Sequence, residues 1–211
     1  MRIELHPDNP QPHRVAQVVN EIRRGAVVAY PTDSCYALGC HLGDKTAMER
    51  IYAIRRFDRH HQFTLLCADI ATAAEFAKID NHHFRMIKHA TPGPYTFVLP
   101  ATHEVPKRMQ NSKRRTIGIR LPDNAVAQAL LAELGEPIVT CTAMHPDREL
   151  PYVTADDIED ELGGRIDVIV DGGECGLEPT TIVDLAHTQP RIIRLGAADP
   201  ATLGLSAETT N

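Results

Sequence analysis

Hydroxyl groups crowd one short segment of the chain, Tyr30-Pro31-Thr32-Asp33-Ser34-Cys35-Tyr36-Ala37-Leu38-Gly39. It begins where an apolar run, Ala26 to Tyr30, meets a proline, which suits the loop at the end of a buried strand. Such a loop presents side-chain hydroxyls and backbone amides at a sheet edge, where open α/β folds take their ligands. Composition alone leaves a purely structural turn as the alternative.

Charge is the second feature with chemical consequences. The chain of 211 residues carries a net charge of -6, but unevenly. Val105 to Pro122 holds six basic residues and no acid (Lys107, Arg108, Lys113, Arg114, Arg115 and Arg120), whereas Asp147 to Asp184 holds twelve acids against Arg148 and Arg165. A basic stretch in an acidic protein can grip phosphate, of a nucleotide or of RNA, or can simply be a solvated loop. The five cysteines are an odd number, scattered and without a C-x-x-C pair, and are expected to be reduced thiols. His60-His61 and His82-His83 are adjacent pairs, not the i, i+4 spacing that puts two imidazoles on one helical face, so no metal site follows from them.

The elements that must position these groups alternate along the chain. Helical spacing of apolar residues marks His13 to Arg24 (Val15, Val18, Val19 and Ile22, closed by Gly25) and Asp44 to Arg56, then Ile70 to Ile79, Asn81 to His89, Asn124 to Leu134 and Thr154 to Leu162. Short apolar runs mark strands at Ala26 to Tyr30, Phe63 to Ala68, Tyr95 to Ala101, Thr116 to Leu121, Pro137 to Ala143, Ile166 to Val170, Thr180 to Leu185 and Arg191 to Arg194. The expected fold is a single α/β domain over residues 1–211, an open, twisted mixed sheet of about seven strands with flanking helices and a frayed tail from Asp199. No apolar run approaches the roughly 20 residues of a membrane span. The N-terminal MRIELHPDNPQPH lacks an apolar core and a cleavage site, so a cytoplasmic protein is expected.

Four further motifs follow the first loop in order. Thr91-Pro92-Gly93-Pro94-Tyr95-Thr96 reads as P-G-P-x-T, Ile117-Gly118-Ile119-Arg120-Leu121-Pro122 as V-x-x-R-x-P, Pro179-Thr180-Thr181-Ile182-Val183-Asp184 as P-S-T-V-V-D, and Arg194-Leu195-Gly196 as R-x-G. With the first loop read as P-T-D-T-x-Y-G-L-G, in which Ser34 and Ala37 are the departures, they make the chain similar to the YrdC-like family over roughly residues 13 to 198. It most resembles the YciO branch.

The resemblance implies a YrdC-like fold and the family's reaction, L-threonylcarbamoyladenylate synthesis from L-threonine, bicarbonate and ATP, linked to threonylcarbamoyladenosine modification of tRNA. It implies Thr32, Ser34, Tyr36 and Arg120 at the threonine, Arg120 as a planar donor for the carboxylate. It implies Arg55, His61, Thr140, Thr142, Thr181 and Arg194 at the nucleotide and its phosphates. Mg²⁺ would arrive with ATP, with no tightly bound metal, and no catalytic residue is assigned. Two departures weaken the match: the K-x-R phosphate grip aligns with Arg55-Arg56-Phe57, and the S-x-N motif with Thr142-Ala143-Met144. A weak paralogue of the synthase therefore fits the pattern. So do a double-stranded RNA or tRNA binder using Lys107 to Arg115, and a nucleotide-sensing regulatory protein.

Overall fold

Val15, Val18, Val19 and Ile22 recur at helical spacing because one stripe of their helix must leave water, and all four are buried. The computed structural model describes residues 1–57, 63–111 and 113–206. In chain order the elements are β1 Arg2–Glu4, α1 Pro12–Arg23, β2 Val28–Tyr30, β3 Ala37–His41, α2 Lys45–Arg55, β4 Thr64–Leu66, α3 Ile70–Phe76 and α4 Asn81–Ala90. Then follow β5 Tyr95–Pro100, β6 Thr116–Arg120, α5 Ala125–Leu134, β7 Ile138–Thr142, α6 Ala155–Leu162, β8 Val168–Asp171, β9 Thr181–Asp184 and β10 Arg191–Arg194. Asp44, Asp69, Asp80, Asn124 and Thr154 cap the starts of α2 to α6, each side chain accepting from a first-turn amide. Gly135 ends α5 at φ 77°, a conformation that glycine adopts without strain.

Among the described residues the sheet has ten strands, in the order β1-β8-β2-β3-β7-β4-β6-β5-β9-β10, rather than about seven. It is mixed, with β1/β8, β2/β8, β4/β6 and β5/β9 parallel and the other pairs antiparallel. The sequence pattern concealed β1, which is three residues long and mostly polar, and β3, whose first three residues close the loop motif. β3 pairs with β2 and β7, so the loop proper is confined to residues 31–36. Within the stretch expected to fray, Pro200–Leu203 form a 3₁₀ turn, Leu203 is buried, and Tyr95 Oη donates to the Asp199 carbonyl.

The two faces of the sheet differ. One is apolar along its length: Leu38, Leu65, Phe97, Leu99, Ile117, Ile119, Val139, Ile169 and Val183 pack against α2, α3, α4 and α6. On the other face, α1 and α5 pack over Val28, Tyr30, Leu66, Ile138, Val168 and Val170, which covers the β1-to-β7 side. Neither core places a helix on that face over β6, β5, β9 and β10.

Candidate functional site

The uncovered part of that face carries side chains of another kind. Alternation along the strands puts Thr140 and Thr142 of β7, Thr64 of β4, Gly118 and Arg120 of β6, and Thr96 of β5 on it. Cross-strand pairing aligns Thr140 with Thr64 and Thr64 with Gly118. A Cβ on Gly118 would lie 2.8 Å from Thr64 Oγ1 and 3.4 Å from Thr96 Cγ2, so this glycine lets the flanking threonines meet across a low floor. Above it lies a cleft of about 150 Å³, lined by Arg55, Phe57, Thr64, Thr96, Arg120, Thr140, Cys141, Thr142, Thr180, Ile182 and Arg194.

Three guanidiniums therefore face one small space. Arg55, at the end of α2, donates from Nη1 to the Met144 carbonyl, stacks 4.6 Å over the Phe57 ring, and leaves Nε buried and unpartnered. Arg194 donates to the Thr180 carbonyl at 2.8 Å, and Thr180 and Thr96 share a hydroxyl contact of 2.8 Å. Desolvation lowers the pKa of both Arg55 and Arg194. A guanidinium does not give up its proton in a protein, so the lowering expresses the cost of burying its charge.

Arg120 is held differently. Its Nη2 donates to Thr32 Oγ1 at 2.8 Å, Asp33 Oδ1 at 2.6 Å and Ser34 Oγ at 2.9 Å. Thr32 Oγ1 also donates to the Cys35 carbonyl at 2.6 Å and accepts from the Ser34 amide at 3.2 Å. Thr32 and Ser34, expected at the threonine, are thus hydrogen-bonded to Arg120 and do not themselves line the cleft. Asp33, which the motif reading had not assigned, is the anionic member of this cradle. Among the described residues no carboxylate lines the cleft, and with Asp33 paired to Arg120 these residues carry two more positive charges than negative ones there.

Of the remaining expected residues, Arg55, Arg120, Thr140, Thr142 and Arg194 come together at the cleft. Thr181 does not: its hydroxyl donates to the Ala198 carbonyl at 2.6 Å and accepts from the Gly196 amide at 2.9 Å on the opposite side of β9. Its neighbour Thr180 takes the cleft position, because alternate residues of a strand face opposite ways and the motif offered both. Tyr36 is fully buried and donates to the Gly173 carbonyl at 2.9 Å. His61 lies outside the described residues. Thr140 accepts from Tyr30 Oη at 2.7 Å. The thiols nearby are not activated: burial pushes Cys35 up, and Cys141 and Cys175 up to about 12.

Elsewhere, the basic stretch is partly tied down. Arg108 donates to the Gly43 carbonyl and Arg114 pairs with the buried Asp184 at 3.1 Å, while Lys107, Lys113 and Arg115 are exposed. A wider hollow of about 850 Å³ near Lys78, His82, His83 and His187 lies apart from the residues just described. No group of three or more histidines, cysteines and carboxylates among the described residues could hold a metal, and no described helix is long and apolar enough to cross a membrane.

Comparison with known proteins adds a second line of observation. The sequence model of the Sua5/YciO/YrdC proteins, whose description reads Telomere recombination, matches residues 20–196. YciO of Escherichia coli strain K12 is 46% identical over 195 residues, 92% of this chain and 95% of that protein. The crystal structure of E. coli YciO aligns with a TM-score of 0.93 at 44% identity, over 96% of this chain and 98% of that one. A threonylcarbamoyl-AMP synthase of Halorhodospira halophila is 33% identical over 180 residues, 84% of this chain and 93% of that enzyme. The crystal structure of P. abyssi Sua5 complexed with L-threonine aligns with a TM-score of 0.85 at 26% identity, over 93% of this chain and 57% of that longer one.

Proposed function

The chain belongs to the Sua5/YciO/YrdC family, and from that premise we propose that it is a slow L-threonylcarbamoyladenylate synthase, converting L-threonine, bicarbonate and ATP to threonylcarbamoyl-AMP and pyrophosphate. The observation that carries the reading is the cleft itself: Arg55, Arg120 and Arg194 face one space that no carboxylate among the described residues lines. A site of that charge, walled by threonine hydroxyls, suits a ligand with several anionic oxygens.

In the reaction, the threonine amine captures bicarbonate as a carbamate, the C–N bond forming as a C–O bond breaks and water leaves. A carbamate oxygen then attacks the α-phosphorus of ATP, and the bond to the pyrophosphate leaving group breaks. The protein's part is alignment and charge stabilisation, the main sources of rate in such transfers. Arg120, gripped from one side, holds the threonine carboxylate. Arg55 and Arg194 meet the phosphates, and Thr140, Thr142 and Thr180 orient them through hydroxyl donors. Mg²⁺ would arrive with ATP as part of the substrate complex. The product is of the class consumed in threonylcarbamoyladenosine modification of tRNA.

The rate is expected to be low because Phe57 brings an aromatic ring where the family's grip has a second cation, and Met144 brings no amide. ATP-to-pyrophosphate exchange, run with and without threonine and bicarbonate beside a threonylcarbamoyl-AMP synthase, tests this. Exchange dependent on both co-substrates but slower than the synthase supports the reading. Absence of exchange with both present, or exchange indifferent to threonine, removes it.

A further inference from the structure

Three acceptors converge on one nitrogen of Arg120. Nη2 carries two hydrogens, yet Thr32, Asp33 and Ser34 all stand within 2.9 Å of it. Nε and Nη1 make no hydrogen bond to the described residues, and Nε and Asp33 Oδ2 are both buried without a partner. The Arg120 and Asp33 side chains are 8% and 7% exposed. Asp33 does not line the cleft, so the carboxylate pins one corner of the guanidinium from outside it and leaves Nη1 for a ligand.

We propose that Asp33 is a positioning residue, a fixed internal counter-ion that aims Arg120 into the cleft and limits the cleft's surplus charge. Thr32 and Ser34 can share the hydrogen-bonding part of this task. Neither can offset a buried cation, which is costly to leave unpaired. The identity of the amino-acid ligand rests on the proposed function; the role of Asp33 does not.

Two ligands should respond in opposite directions when the charge is removed. Inorganic pyrophosphate is a polyanion and gains from one more uncompensated cation. L-Threonine is a zwitterion with no net charge, gains nothing overall, and loses the fixed direction of its carboxylate partner. In calorimetric titrations, Asp33→Asn should bind pyrophosphate about three- to tenfold more tightly and threonine about tenfold more weakly. A merely structural residue would weaken both together. Asp33→Glu keeps the charge but changes the reach, so pyrophosphate affinity should stay within about twofold while threonine weakens. Thermal melts confirm that each variant is folded, and if Asp33→Asn is not, Asp33→Glu decides. Unchanged or weaker pyrophosphate binding in a folded Asn variant overturns the inference, as does parallel loss of both ligands in the Glu variant. A wild type that binds pyrophosphate but no threonine, with the Asn variant binding pyrophosphate more tightly, would remove the amino-acid reading and leave the role of Asp33 standing.

Discussion

On the side of the sheet under α1 and α5, side chains that turn away from the main core enter a second apolar layer through Val28, Tyr30, Ile138, Val168 and Val170. On the uncovered side, the same alternation delivers Thr64, Thr96, Gly118 and Arg120. The seam runs through β7, which gives Ile138 to the apolar layer and then Thr140 and Thr142 to the cleft. Both sides rest on one shared core. The contrast teaches that where the fold withholds a layer of helices, the face is released from packing and can hold charge.

The strongest way to break this comparison is Arg120→Ala. It should weaken threonine binding at least about tenfold, through loss of charge-assisted hydrogen bonds. Because it also strands Asp33 in a buried position, it should cost about 3–5 kcal/mol of stability. Calorimetry and urea denaturation read the two effects. Wild-type threonine affinity would show that the bare face is not where the amino acid binds.

On the covered side the expectation reverses. Leu130 of α5 is fully buried, and Leu130→Ala should cost about 2–5 kcal/mol while folded protein binds pyrophosphate as the wild type does. Altered affinity at temperatures where the variant is folded would mean that the two sides are coupled.

Much of this was legible in the sequence. Helices and central strands announced themselves through the 3.6-residue and two-residue periods, and the motif order brought Arg55, Arg120, Thr140, Thr142 and Arg194 to one cleft. What stayed hidden was direction and partnership. A Thr-Thr pair does not say which hydroxyl faces out, and Thr32 and Ser34 looked free for a ligand because their guanidinium partner stands 86 to 88 residues away. Asp33 was passed over for the same reason. β3 was invisible because its apolar residues follow the loop without a turn signal.

Thr180→Val and Thr181→Val sharpen the comparison at adjacent residues. Thr181→Val leaves the Ala198 carbonyl and Gly196 amide without their hydroxyl partner, at a cost of about 1–3 kcal/mol with ligand binding unchanged. Thr180→Val should instead weaken pyrophosphate binding by about fivefold, with the smaller effect on stability. Denaturation curves and titrations on both variants check the division, and an exchange of the two phenotypes would place the cleft on the wrong side of β9.

The smallest expected effect concerns Phe57, which stands at the rim and contributes no charge. Its ring lies 4.6 Å from the Arg55 guanidinium carbon and 6.4 Å, edge to face, from Tyr52, so it supports the cation that α2 delivers to the cleft. Leucine keeps apolar bulk but has no π face. Phe57→Leu therefore removes a cation–π contact worth about 0.5–1 kcal/mol, equivalent to a two- to fivefold weakening of pyrophosphate binding. Arg55 also donates to the Met144 carbonyl, a backbone anchor that the substitution leaves in place, so the loss should stay within that range. A much larger loss would mean that the ring touches the ligand directly. No loss at all would mean that the carbonyl alone fixes Arg55, and that the aromatic residue marks the border of the bare face without supporting its charge.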